Sequence, residues 1–318
     1  MKKRHACVLG ASGFLGSHLV HHLLCTGWHV NAFDRIIAPN PLITADLLDS
    51  YTSFPGNFFE TPDLMQALEG CDVCFHLIST SLPKTSNENP LKDVQQNLEG
   101  SLTLLECIRN SNVHKIIYSS SGGTVYGIPQ TQYIREDQPT EPLCSYGIVK
   151  LAFEKYLALY RNLYGLDYTI LRISNPYGPL QRTEAAQGVI GVFLGKILRN
   201  ESLTIWGDGT VVRDYLHVSD VARAFVLAAQ TNTHNKIFNI GSGVGESLNT
   251  IINLLRSITG MSISVNYEKG RIFDVPYSVL DITKAGAELG WSPILNLEEG
   301  LRDTWAWLCH QQSNTIKC

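Results

Sequence analysis

In the first half of the chain, short runs that are apolar or β-branched almost throughout alternate with longer stretches in which apolar residues recur every three or four positions. The runs predict strands: HACVL before Gly10, HVNAF before Asp34, NFF after Gly56, DVCFHLI after Cys71, KIIYSS after His114 and DYTILRI after Leu166. The periodic stretches predict helices over 14–25, 64–68, 94–110 and 145–164. Strands that read as unbroken apolar runs have both faces covered, as parallel strands do when helices cross over them. The alternation therefore predicts an α/β protein built on a Rossmann-type, doubly wound parallel sheet.

After Asn175-Pro176-Tyr177-Gly178-Pro179 the strands shorten, and the turn Trp206-Gly207-Asp208-Gly209 breaks the pattern. The expected division is 1–174 as a Rossmann domain and 175–318 as mainly a smaller C-terminal α/β substrate domain. Residues 212–236 are expected to return to the first unit, because DYLHV and the helical stretch 218–229 read as one more strand and helix of the main sheet. The stretch 297–310, with Trp305 and Trp307, reads as an amphipathic capping helix.

Composition narrows the partners. The 318 residues are 44% hydrophobic and 17% charged, which excludes a disordered chain. The net charge of -4 lacks the basic excess that a phosphate backbone requires, so nucleic acid is not an expected partner. No run approaches the length of a membrane span. The eight cysteines are scattered without the spacing of a disulfide framework and point to a reducing cytoplasm. The start MKKRHACVLG has a basic run before apolar residues, but Gly10, Gly13 and Gly16 break it up, and it reads as a mature N-terminus.

Gly10-Ala11-Ser12-Gly13-Phe14-Leu15-Gly16 lies between the first strand and the first helix. There, glycines let the backbone approach a pyrophosphate closely while N–H groups of the helix start face the anion. A merely tight strand-to-helix turn is the bland alternative. Asp34 ends the second strand, where a carboxylate can accept hydrogen bonds from a ribose. It favours NAD over NADP, with Arg35 beside it as a counter-signal.

Tyr146-Gly147-Ile148-Val149-Lys150 sets a phenol and an ammonium at i and i+4 on one helix face. A cation nearby lowers a phenol's pKa, so Lys150, together with a positive nicotinamide ring, is expected to make Tyr146 a base near neutral pH. A surface Tyr-Lys pair is the alternative. Upstream, the run Ser119-Ser120-Ser121-Gly122-Gly123-Thr124-Val125-Tyr126-Gly127 follows the fifth strand, at the carboxyl edge where such sheets bind ligands. A hydroxyl there can pass a proton between a sugar and the phenol.

In this order and spacing, the motifs resemble those of the extended short-chain dehydrogenases/reductases, in particular the NAD-dependent nucleotide-sugar epimerases similar to UDP-glucose 4-epimerase. The resemblance covers nearly the whole chain. It extends to Asn97-Leu98-Glu99-Gly100, to Arg172-Ile173-Ser174-Asn175-Pro176-Tyr177-Gly178-Pro179, to Arg213-Asp214-Tyr215-Leu216-His217-Val218, and to the Arg and Asp of Arg271-Ile272-Phe273-Asp274. It implies a cycle without net oxidation, in which Tyr146 takes the proton of the sugar 4-hydroxyl and carbon 4 yields its hydride to NAD+, then regains it on its other face. Lys150 would tune Tyr146 and hold the nicotinamide ribose, and Ser121 would bridge substrate and phenol. The resemblance further implies an NAD site formed by Gly10, Gly13, Phe14, Leu15, Gly16, Asp34, Arg35, Asn57, Phe58, Leu77, Ser79, Asn97, Ser119, Tyr146 and Lys150. Lys84, Ser121, Tyr146, Asn175, Arg213, Arg271, Asp274 and Ser278 would contact a nucleotide-diphosphate sugar. It also implies a homodimer pairing the helices over 94–110 and 145–164.

Three departures change the picture. The serine loop is one residue longer than the family's SSSATVYG form, so Ser121 is the first choice for the bridging hydroxyl and Thr124 the reserve. Asn57 stands where an Asp is usual. Gly123-Thr124 replaces the Asp-Glu pair of the dehydratases, which disfavours 4,6-dehydration. In the family, a residue just after the RxxD pair sets the hexose pocket's volume; here it is the small Ser278, so 2-acetamido sugars are expected as substrates beside UDP-glucose and UDP-galactose. Two readings compete with the epimerase: an NAD(P)H-dependent reductase of a nucleotide-linked 4-keto-6-deoxyhexose, and a non-catalytic dinucleotide sensor, which has no need of Tyr146 and Lys150. No metal is expected: His18 and His22 have zinc-compatible spacing but no third ligand, and Cys71 and Cys74 run into a strand.

Overall fold

The computed structural model describes residues 4–184, 188–270 and 275–315. Its elements in chain order are β1 (His5–Leu9), α1 (Phe14–Cys25), β2 (His29–Asp34), β3 (Tyr51–Pro55), α2 (Thr61–Leu68), β4 (Val73–His76), α3 (Pro83–Ser86), α4 (Pro90–Asp93), α5 (Gly100–Arg109), β5 (Lys115–Ser121), α6 (Ser145–Tyr164) and β6 (Asp167–Ile173). There follow β7 (Asn175–Tyr177), α7 (Val189–Leu198), β8 (Leu203–Trp206), β9 (Val212–His217), α8 (Val218–Gln230), β10 (Lys236–Ile240), β11 (Gly245–Ser247), α9 (Leu248–Thr259), β12 (Val265–Glu268), β13 (Tyr277–Ser278), α10 (Thr283–Leu289) and α11 (Leu297–Thr315).

Seven strands form one parallel sheet in the order β3-β2-β1-β4-β5-β6-β10. The order reverses between β1 and β4, the switch point at which such sheets open a crevice for ligands. Successive residues of β1 enter different cores, as the two-residue period of a strand demands. Ala6 and Val8 join Leu19, Trp28, Phe225 and Trp291 on one face. Cys7 and Leu9 join Leu64, Leu104, Leu105 and Phe153 on the other. A third core, with Phe193, Leu194, Ile205, Ile251 and Leu255, lies under the second half of the chain.

The α/β class and parallel sheet expected from the pattern are present, with three corrections. The third strand is Tyr51–Pro55, not NFF after Gly56. YTSFP is a partly exposed edge strand without an apolar run, whereas Asn57 opens a turn in which Glu60 N–H donates to its carbonyl at 2.9 Å. The predicted helix over 94–110 begins earlier, at Pro90, and passes through a π-helical turn at Val94–Glu99. Finally, β9 is not a strand of the main sheet. It pairs in parallel with β7 and β13 and antiparallel with β11. A buried alternation fixes a strand's faces but not its neighbour, and the place beside β6 is taken by β10. The helix α8 does return to the main sheet, with Val221, Ala224 and Phe225 in its core.

Candidate active site

The glycine turn is built by close backbone approach. Gly10, at φ +87°, and Ala11 both donate to the carbonyl of Phe33, at 2.9 and 3.1 Å. A Cβ on Gly16 would lie 2.0 Å from the Gly10 carbonyl oxygen, so only glycine fits there. The helix that follows starts at Phe14 without any side-chain cap, which leaves the donors of its first turn and its positive dipole end to an anion. Asp34 closes the cradle: Oδ2 accepts the Ser12 N–H at 3.1 Å and Oδ1 the Arg35 N–H at 2.8 Å. This arrangement fits a dinucleotide: a turn with no room for a side chain, an open helix start, and a carboxylate at the end of the neighbouring strand.

Of the expected cofactor residues, Asn57 and Phe58 stand in the turn after β3. The Asn57 Oδ1 accepts the Phe59 N–H at 3.2 Å, stabilising its turn. The Phe58 ring is 3% exposed and stacks on His76 with centroids 5.4 Å apart, so it is core. The others lie along the carboxyl edge of the sheet. Leu77 follows β4, its N–H donating to the Leu9 carbonyl at 3.0 Å. Asn97 sits buried in the π-helical turn, where its Oδ1 accepts the Thr80 N–H at 2.8 Å and its Nδ2 donates to Asp93 Oδ1 at 2.8 Å.

Asp93 is a hub that sequence reading misses. Its buried carboxylate also accepts Ser81 Oγ at 2.6 Å and Ser145 Oγ at 2.7 Å. Asn87 Oδ1 accepts the Ser145 N–H at 2.8 Å, and Ser86 Oγ accepts the Tyr146 N–H at 3.1 Å. The first turn of α6 is thereby clamped to the segment 81–97, and Tyr146 with it. Thus the N–H groups that a helix start leaves open are bonded here by its neighbours.

On the same helix face, the Lys150 ammonium donates to the Ser119 carbonyl at 2.8 Å and lies 5.5 Å from the centre of the Tyr146 ring. Burial pulls the Lys150 pKa down to about 8, against the opposing pull of Glu154 and Asp93. Burial pushes the Tyr146 phenol above its ordinary value, Cys144 and Asp93 adding to the rise and the Ser79 hydroxyl reducing it. Lys150 thus faces both the Tyr146 ring and the Ser119 carbonyl. A cavity of about 10 Å³, room for roughly one water, is lined by Tyr146, Lys150, Ser79, Ser81, Asn97 and Ser101.

Beneath this site, Glu154 and Arg172 form a buried ion pair. Arg172 Nε donates to Glu154 Oε1 at 3.0 Å and Nη2 to Oε2 at 2.6 Å, while Ser120 Oγ donates to Oε1 at 2.5 Å. Ser121 ends β5 beside Ile173 of β6. Thr124 Oγ1, three residues on, is buried and has no hydrogen-bond partner among the described residues. A second group of expected site residues gathers on the small sheet. Asn175 Nδ2 donates to the Asp214 carbonyl at 2.9 Å, Arg213 Nη1 to the Val275 carbonyl at 2.6 Å, and Ser278 is the ladder partner of Arg213. Lys84 is exposed on α3. Arg271 and Asp274 lie outside the described residues.

Residues 6–241 match the NAD dependent epimerase/dehydratase family. A putative UDP-glucose 4-epimerase of Methanocaldococcus jannaschii is 35% identical over 309 residues, covering 95% of this chain and 97% of its own. The UDP-glucose 4-epimerase of Thermotoga maritima, solved with UDP-glucose, superposes with a TM-score of 0.89 at 36% identity, covering 97% of this chain and 99% of that one. The UDP-N-acetylglucosamine 4-epimerase of Methanobrevibacter ruminantium M1, solved with UDP-N-acetylmuramic acid, gives 0.90 at 30% identity over 98% of this chain and 100% of that one.

Proposed function

The chain belongs to the NAD dependent epimerase/dehydratase family and is an NAD-dependent nucleotide-sugar 4-epimerase; we propose that its substrates are UDP-hexoses, the 2-acetamido sugars included. NAD, when bound, accepts and returns the hydride of the sugar carbon. Tyr146 Oη removes the proton of the sugar 4-hydroxyl and gives it back after the sugar has turned over. Lys150 keeps a positive charge beside the Tyr146 ring while the Ser119 carbonyl fixes its direction. Ser121 passes the proton between substrate and phenol. Asn175 and Arg213, with Arg271 and Asp274, grip the diphosphate, where arginine forks give charge-assisted bonds.

The observation that carries this reading is the clamped first turn of α6, which sets Tyr146 and Lys150 on one face at the carboxyl edge of the sheet. Ser278 beside Arg213 offers a small side chain where the sugar is expected, which supports the acetamido substrates, as does the likeness to an epimerase named for UDP-N-acetylglucosamine. The protein acts as a homodimer: Ile148, Leu159, Leu163 and Tyr164 stand exposed on α6, and Val94 beside α5 does likewise. No helix among the described residues is long and apolar enough to cross a membrane, and the seven described cysteines are free thiols, which supports a cytoplasmic setting.

The decisive experiment incubates the protein with UDP- and dTDP-sugars, with and without added NADH, and follows carbon 4 by NMR. Inversion without added reductant is the expected result. Turnover only of 4-keto sugars, and only with reductant, would mark a reductase. Conversion of plain hexoses without any of the acetamido sugars would overturn the pocket reading.

A further inference from the structure

His18 has no part in the chemistry above, yet it is 6% exposed and joins two regions far apart in sequence. It lies on α1, two residues beyond Gly16, with its ring edge-on to Phe14 at 6.1 Å. Its Nε2 is 2.9 Å from the carbonyl oxygen of Pro179, 161 residues away. A carbonyl can only accept, so Nε2 carries the proton. Burial keeps the imidazole neutral, its pKa pulled down to about 4 while the Pro179 bond and His217 act in opposite senses.

The carbonyl it binds is unusually placed. Pro179 stands between Gly178 at φ +146° and Leu180 at φ +68°. A Cβ on Gly178 would strike Val218, and a leucine in the left-handed region persists only where its surroundings hold it. Gln181 Nε2 donates back to the Pro176 carbonyl at 3.2 Å, closing the turn. The same stretch opens with Asn175 and Tyr177, which pair with Tyr215 and His217 of β9. One imidazole thus ties the helix that follows the dinucleotide cradle to the strained turn that ends the nucleotide-gripping strand.

We propose that His18 is a positioning residue whose Nε2–H bond to Pro179 holds the nucleotide-binding segment in register with the filled dinucleotide cradle. The inference rests on the functional reading above. The imidazole touches neither ligand; it sets how well UDP is gripped once NAD is in place.

The test titrates UDP into NAD+-saturated protein by calorimetry and measures the KM and kcat of epimerisation. His18→Leu is expected to weaken UDP binding and raise KM by about tenfold, with kcat and NAD+ affinity little changed. His18→Gln, which keeps a side-chain donor, restores most of the loss. UDP affinity equal to wild type in His18→Leu, or an equal loss in both variants, overturns the proposal. Should His18→Leu fail to fold, the histidine ring Nε2–H resonance of the NAD+-loaded wild type decides: it shifts on UDP addition if the bond reports the grip, and an unmoved signal overturns it. Wild type that binds neither NAD+ nor UDP would instead sink the functional reading and leave the His18 bond to structure alone.

Discussion

Glu154 and Arg172 face each other through two hydrogen bonds, 3.0 and 2.6 Å long, in a pair that is 3% and 2% exposed. The carboxylate sits one helical turn beyond Lys150 and helps keep that ammonium charged. Removing one partner strands the other charge away from water. Glu154→Gln is expected to lose about 3–5 kcal/mol of stability, measured by denaturant unfolding. Glu154→Met with Arg172→Met should lose less than either single change, since no buried charge is left alone.

The proposed base gives a second prediction. Tyr146→Phe removes the phenol but keeps the ring that the Lys150 ammonium faces, so UDP-sugar binding should persist while kcat falls by roughly 10²–10⁴-fold. Ser121→Ala should also lower kcat with KM little changed. If Thr124→Val gives the larger loss instead, the buried hydroxyl of Thr124 is the relay and Ser121 is not.

A third prediction concerns alkaline pH. Lys150 has a folded-state pKa near 8, below the ordinary lysine value, because burial disfavours its charge. Between pH 8 and roughly 10.5, the unfolded chain binds a proton that the folded one has lost, so this residue's contribution to stability rises with pH across that window. Activity should do the opposite and decline above about pH 8 as the ammonium beside Tyr146 loses its charge. In Lys150→Arg, whose side chain stays charged, the residual activity should keep its level past pH 9; a decline at the same pH as wild type would assign the alkaline limb to another group.

Gly16→Ala provides a fourth. The new methyl group would meet the Gly10 carbonyl at 2.0 Å and force the turn open. NAD+ affinity, read by fluorescence titration, should weaken by at least about tenfold, whereas Gly286→Ala on α10, where a Cβ would meet only the Trp291 carbonyl oxygen at 3.8 Å, should leave it unchanged.

The proposed dimer gives a fifth. Aspartate at both Ile148 and Leu159 on α6 should convert the particle to a monomer by light scattering, because an interface of stable size leaves no place for unpaired charge at its centre.

How far the sequence alone reaches can be judged from particular elements. The α/β class was legible because β1, β5 and β6 are buried on both faces and read as apolar runs. The helices α1 and α6 lie at their predicted bounds because their apolar stripes are long enough to show a period. The edge strand β3 escaped because edge positions tolerate Thr and Ser, and Phe58 lent the neighbouring turn an apolar look. In the site, Tyr146 and Lys150 could be paired by spacing within one helix. Asp93 could not, since its bond to Ser145 spans 52 residues and exists only once the sheet has brought two helices together. Nor could spacing reveal that Lys150 faces the Tyr146 ring while bonding a main-chain oxygen.

The small sheet is stitched from four separated stretches, 175–177, 212–217, 245–247 and 277–278, with β9 at its centre. Between them the chain travels back to complete the seven-stranded sheet with β10. On the proposed placement of the sugar beside Ser278 and Arg213, a transplant of sugar preference has to exchange several short inserts together, and a chimaera joined at one crossover inherits half of each parent's pocket and the whole of neither.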